Sequence, residues 1–91
     1  MESRYYSVYD KKARSYGQIF ASPNDESAKR EYLVALQDNR SMLNKFPDDF
    51  ELHYLFTINS ESGKVIDNQV AFVCNAVIAE KKEESNEWYK C

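Results

Sequence analysis

The chain has 91 residues, a formal net charge of −3, 43% hydrophobic and 14% aromatic side chains, and only two glycines and two prolines. That suffices for one domain, which at this size hides roughly 60–65% of the surface its unfolded chain exposes; it excludes a disordered chain and a protein that traps nucleic acid by net charge alone. No apolar run approaches the roughly 20 residues of a membrane span and no signal-peptide pattern follows Met1, so a soluble cytoplasmic protein is expected.

The first predicted element is Tyr5-Tyr6-Ser7-Val8-Tyr9, whose aromatic and β-branched residues favour a strand. Tyr6 and Val8 lie on one face, Tyr5, Ser7 and Tyr9 on the other. Asp10 to Ser15 reads as a polar loop and Tyr16 to Phe20 as a short extended piece; residues 10–21 also fit a mobile arm. Ser22-Pro23-Asn24-Asp25 is a helix start, in which Ser22 or Asn24 can cap and Asp25 and Glu26 sit at the positive end of the dipole. The helix is predicted to reach about Asp38. Ala28, Tyr32, Ala35 and Leu36, flanked by Leu33, form its apolar stripe, while Lys29, Arg30, Glu31 and Gln37 face water. Met42-Leu43 adds a turn, and Pro47 holds Phe46 extended.

Phe50, Leu52, Tyr54, Phe56 and Ile58 recur at every second position, the period of a strand that buries one face. Glu51, His53, Leu55, Thr57 and Asn59 make the other face, a mostly polar set that suits a sheet wetted on one side. Asn59 to Gly63 supplies a turn, so Lys64-Val65-Ile66 returns as the second arm of a hairpin at about residues 49–66. Val70 to Cys74 fits a third strand of this group or a buried helix, and a strand is the preferred reading. The expected fold class is α+β: one α-helix on a small antiparallel sheet of three or four strands, in a single domain over residues 1–79. Residues 80–91 read as a charged, partly disordered tail with Trp88 and Tyr89 as isolated apolar anchors. Five inward residues on one strand of so small a chain, with spare tyrosines, also predict self-association as a homodimer or larger assembly.

Little in the chain suits catalysis. His53 is the only histidine, and its one attraction is that imidazole changes charge near neutral pH; on a polar strand face it reads as a solvated sheet residue. Cys74 and Cys91 lack metal-ligand spacing and read as free thiols, with Cys74 buried. Asp48-Asp49 beside Pro47 reads as a turn rather than a cation site. No phosphate loop, nucleophile elbow or dinucleotide fingerprint is present, and neither a metal nor another cofactor is expected. The one feature with a binding logic is the first twenty residues, where Arg4, Lys11, Lys12 and Arg14 stand against Glu2 and Asp10, while residues 41–91 hold five basic against nine acidic side chains. Single-stranded nucleic acid is held by flat side chains that stack on bases beside cations that follow the phosphates. Tyr5, Tyr9 and Tyr16 with Arg4, Lys11, Lys12 and Arg14 supply both components. The same residue types also suit a protein interface, or simply the cover of a sheet.

Taken together, Tyr5 to Ala13, Ala28-Lys29-Arg30-Glu31-Tyr32, Phe46-Pro47-Asp48-Asp49-Phe50-Glu51-Leu52 and the Ser62-Gly63 turn resemble the small nonstructural, DNA-binding protein of gokushovirus-type microviruses, which are single-stranded DNA bacteriophages. The resemblance spans about residues 5–75. It implies a non-enzymatic protein that handles the phage single-stranded DNA genome, during synthesis or packaging, in the cytoplasm of the infected bacterium. The alternative expectation is a protein-protein interaction module that uses the tyrosine-rich surface to bind a capsid, scaffolding, replication or host protein.

Overall fold

The computed structural model describes residues 1–76; the predicted tail at 80–91, with Trp88, Tyr89 and Cys91, lies outside the described residues. In chain order these residues form β1 (Glu2–Asp10), β2 (Ser15–Tyr16), β3 (Phe20–Ser22), α1 (Asp25–Gln37), α2 (Met42–Lys45), a 3₁₀ turn at Pro47–Asp49, β4 (Phe50–Asn59), β5 (Val65–Asp67) and β6 (Ala71–Asn75). The α+β class is as expected. The detail differs: an antiparallel sheet of six strands with two helices replaces one helix on three or four strands. β1 and β4 form the long central pair, with Glu2 opposite Asn59 and Asp10 opposite Phe50. β2 and β3 both pair with β1, and β5 and β6 both pair with β4. Each outer line is thus two short segments, interrupted at residues 17–19 and 68–70. Short, broken edges are one way a sheet avoids pairing with other chains.

Local chemistry sets the boundaries. Of the two candidate caps, Asn24 closes α1, its Oδ1 accepting from the Ser27 amide at 2.9 Å, and Asp25 and Glu26 occupy the first turn. Ser41 does the same for α2, accepting from the Leu43 amide at 3.0 Å, which makes the predicted extra turn a separate helix. In the β4–β5 hairpin, Asn59 Oδ1 accepts from the amides of Glu61 and Ser62, and Gly63 takes φ +77°. That backbone region favours glycine because it has no Cβ to clash.

Both helices lie against one face of the sheet. Tyr6, Leu52, Tyr54 and Cys74 from the strands meet Ala28, Tyr32, Leu33 and Leu36 of α1 in the core, with Val8, Phe20, Leu43 and Val73 at its margin. The predicted stripe of α1 is therefore correct in substance, and Val70 to Cys74 contributes a strand, as preferred.

The largest correction concerns β4. Tyr5 is opposite Phe56, but Tyr6 is opposite Tyr54, so Leu55 faces no residue of β1. One extra residue on one strand is a β-bulge, and beyond it the alternation of side chains reverses. Phe50, Leu52 and Tyr54 face the helices as predicted. Phe56 and Ile58 do not: Phe56 stacks on Tyr5 with ring centroids 5.0 Å apart, and Ile58 lies opposite Ser3, two residues before Tyr5. Thr57, assigned to the wet face, is instead 3% exposed. Its hydroxyl is 2.5 Å from that of Tyr54, which donates to Asp67 Oδ2 at 2.7 Å. This partner removes most of the cost of burying a polar group.

Candidate functional site

The helix-free face of the sheet carries the aromatic residues. Tyr9 is paired with Tyr16 across the β1–β2 hairpin, and their rings lie 4.8 Å apart. His53 of β4 stacks on Tyr9 at 5.3 Å, meets Tyr16 edge-on at 5.5 Å, and is met in turn by Phe72 of β6 at 6.2 Å. Four strands thus contribute one ring each to a continuous platform. Tyr16 and Phe72 are its open ends, 41% and 49% exposed. Tyr5 and Phe56 form a second stacked pair on the same face, with Ser7 between Tyr5 and Tyr9 on β1. Ser7 is buried because residues 17 and 18 fold over it, its hydroxyl donating to the Gly17 carbonyl at 2.9 Å and the Gln18 carbonyl at 3.2 Å.

Hydrogen bonds hold the platform in place. Tyr16 Oη lies 2.9 Å from His53 Nδ1, and His53 Nε2 lies 3.0 Å from Glu51 Oε1. Glu51 Oε2 is in turn 3.8 Å from Lys11 Nζ. The chain from Tyr16 to Lys11 crosses the sheet and ends at the hairpin tip.

At that tip stand Lys11, Lys12 and Arg14, all exposed. Asp10 builds the turn, its Oδ1 accepting from the amides of Lys12 at 2.9 Å and Ala13 at 3.1 Å, and its carbonyl from the Arg14 amide at 2.7 Å. Arg14 closes it at φ +59°, a left-handed conformation that is uncommon without glycine. Lys11 is also anchored through its amide to the Asp49 carbonyl at 2.8 Å. Among the described residues, Lys12 and Arg14 take part in no ion pair.

Of the seven residues singled out from the sequence, the structure brings five together: Tyr9, Tyr16, Lys11, Lys12 and Arg14. Tyr5 shares their face but belongs to the second pair. Arg4 lies on the opposite, helix-bearing side and is held there. Its Nε donates to the Tyr6 hydroxyl at 2.9 Å, its Nη2 pairs with Asp25 at 3.1 Å, and its guanidinium lies 4.5 Å from the centre of the Tyr54 ring. The Tyr6 hydroxyl donates to the same Asp25 oxygen at 2.6 Å. Burial pushes the Tyr6 phenol up to about 12, Asp25 adding to the rise and Arg4 opposing it. The Arg4 guanidinium is raised from its ordinary value, chiefly by its hydrogen bond to Tyr6. Burial also raises Tyr54, with Asp67 adding and Thr57 opposing. This network joins β1 to the start of α1, and it is structural.

Sequence reasoning missed His53, Phe56 and Phe72 as members of the aromatic face. The sequence puts His53 on the correct face but as a solvated residue, whereas its side chain is largely covered by the rings of Tyr9, Tyr16 and Phe72. The pairing of β6 with β4, which sets Phe72 opposite His53, has no signal in local sequence.

A model of the family described as Phage ORF5 protein matches residues 3–79. The chain belongs to the Phage ORF5 protein family. Protein ORF5 of Chlamydia phage 1 is 33% identical to it over 82 residues, covering 84% of this chain and 85% of that protein. No solved structure matches. The expected resemblance to a small protein of gokushovirus-type microviruses is thereby borne out. Among the described residues of this ORF5 family member, no helix is long and apolar enough to cross a membrane.

Proposed function

We propose that this phage ORF5 family protein binds single-stranded DNA, without catalysis, in the cytoplasm of the infected bacterium. The observation that carries the reading is the platform of Tyr9, Tyr16, His53 and Phe72 rings on the helix-free face, with exposed Lys11, Lys12 and Arg14 in the turn of the hairpin that carries Tyr9 and Tyr16. A base stacked on such a platform contributes about 1–3 kcal/mol, and every base offers a π-face. The cations beside it offer phosphate contacts that an acidic protein lacks elsewhere on average. Tyr16 and Phe72 have open ring surface for a base, Tyr9 and His53 lie between them, and Tyr5 with Phe56 offers a separate stacked pair beyond the covered Ser7. Arg4 is left out of the interface because its guanidinium is already committed to Tyr6 and Asp25.

The test is fluorescence anisotropy of a labelled single-stranded oligonucleotide at about 50 and 200 mM salt. If two to three phosphates are neutralised, each contributing a slope of about −0.7, affinity falls roughly 7- to 20-fold across that range. Lys11→Ala with Lys12→Ala should weaken binding and flatten the slope, and Tyr16→Ala should weaken binding while leaving the slope. Absence of binding at low salt would end this reading.

A second reading has its own observation. Val65, Ile66, Val70 and Phe72, along β5, β6 and the segment between them, are each about half exposed or more, an apolar strip that suits a protein partner such as a capsid, scaffolding, replication or host protein, or a second copy of this chain. Binding insensitive to salt and lost with Val65→Asp would favour it.

A further inference from the structure

His53 touches the other three rings of the platform, and its two nitrogens have different partners. Nε2 faces a carboxylate, so it carries the hydrogen and donates to Glu51; Nδ1 then accepts from the Tyr16 hydroxyl. The neutral ring is fixed in one tautomer by this pattern. The groups that face it are Tyr9 from β1, Tyr16 from β2 and Glu51 from its own strand, with Lys11 reached through Glu51. β6 contributes only the uncharged Phe72.

We infer that His53 is a proton-linked binding residue of this platform, so that taking up one proton strengthens its hold on a phosphate-bearing single strand. The inference rests on the single-stranded DNA reading and adds its regulation. The added proton comes from solvent and binds Nδ1. Both ring nitrogens then donate, the Tyr16 hydroxyl turns to act as acceptor, and the His53–Glu51 hydrogen bond becomes an ion pair. The charge summed over Lys11, Glu51 and His53 changes from zero to +1. Glu51, until then the counter-ion of Lys11 alone, is shared with the imidazolium, and Lys11 is left freer to meet a phosphate. The imidazolium also stays flat against the Tyr9 ring, at an interplanar angle of 16°, a geometry in which the face of the ring attracts a cation.

Because this is the only histidine in the chain, one experiment reads it directly. Oligonucleotide anisotropy at about 50 mM salt is measured between pH 5.5 and 8, and the His53 imidazole protons are titrated by NMR over the same range with and without the oligonucleotide. One more positive charge beside the platform, with Lys11 freed from part of its pairing to Glu51, should tighten binding roughly three- to tenfold at the acid end. By linkage, saturating oligonucleotide must then favour the protonated ring by the same factor, which the NMR titration reads as His53 holding its proton to higher pH with DNA than without. His53→Gln should abolish the pH dependence whatever its affinity at pH 8, and Glu51→Gln should reduce the gain from acidification. If DNA binds but its affinity is independent of pH, or if His53→Gln retains the dependence, or if the His53 midpoint does not move with DNA, the proton linkage is wrong and the DNA reading stands. If no oligonucleotide binds at any pH, both fall together.

Discussion

Leu52 and Phe56 both belong to the five-residue alternation of β4, and a regular strand would bury them on one face at similar cost to remove. The bulge at Leu55 separates them. Leu52 is 0% exposed, opposite Val8 on one side and Cys74 on the other, beneath α1. Leu52→Ala opens a cavity there and should cost roughly 2–5 kcal/mol. Phe56 is half-buried on the helix-free face, where its main partner is the Tyr5 ring. Losing a stacked pair of this kind costs about 0.5–1.5 kcal/mol beyond the area uncovered, and the area is shallow, so Phe56→Ala should cost about 1–2 kcal/mol. In a domain of this size 1 kcal/mol moves Tm by about 4–8 °C, which separates the two variants clearly. Urea melts followed by circular dichroism give the same comparison at constant temperature, provided the slopes agree. Equal destabilisation by the two substitutions, or a larger one from Phe56→Ala, would refute the reversed alternation and with it the aromatic face.

Leu33 and Leu36 of α1 are 5% and 7% exposed against the sheet, and either truncation to alanine should cost roughly 2–5 kcal/mol in a thermal melt. Tyr6 gives a pH prediction: its folded value, raised to about 12, exceeds the ordinary 10, so its contribution is complete below pH 10 and is lost as pH rises through 12. Denaturant melts from pH 9 to 12 should show that decline, and Tyr6→Phe should lessen it. Arg14→Gly relieves a left-handed residue at φ +59°, a conformation that costs about 1–2 kcal/mol with a side chain present. It should therefore hold or raise Tm while weakening oligonucleotide binding. Gly63→Ala, at φ +77° with open space around it, should lose about 1–2 kcal/mol from backbone strain alone.

Local chemistry made much of the chain legible. Asn24 with Asp25 and Glu26 announces a helix start, the spacing of Ala28, Tyr32 and Leu36 gives its buried face, Asn59 to Gly63 gives a turn, and the run at Tyr5 gives a strand, because caps, periodicity and turns are properties of neighbouring residues. Asp10 to Ser15 was legible as a polar loop, and so were its cations, but not that it turns β1 back into a hairpin with β2. What the sequence could not disclose is which strands lie side by side. The pairing of β1 with β4 brings together residues about fifty positions apart. That pairing carries the bulge which turns Phe56 outward and Thr57 inward, and the pairing of β6 with β4 completes the platform with Phe72. Arg4 shows the same division: its charge was evident in the sequence, but its commitment to Tyr6 and Asp25 required α1 to dock on β1. The sequence by itself determined the elements, their turns and the stock of rings and cations. Tertiary structure alone decided which of them share a face, because a single extra residue in a paired strand reverses the alternation and leaves no mark on local propensity.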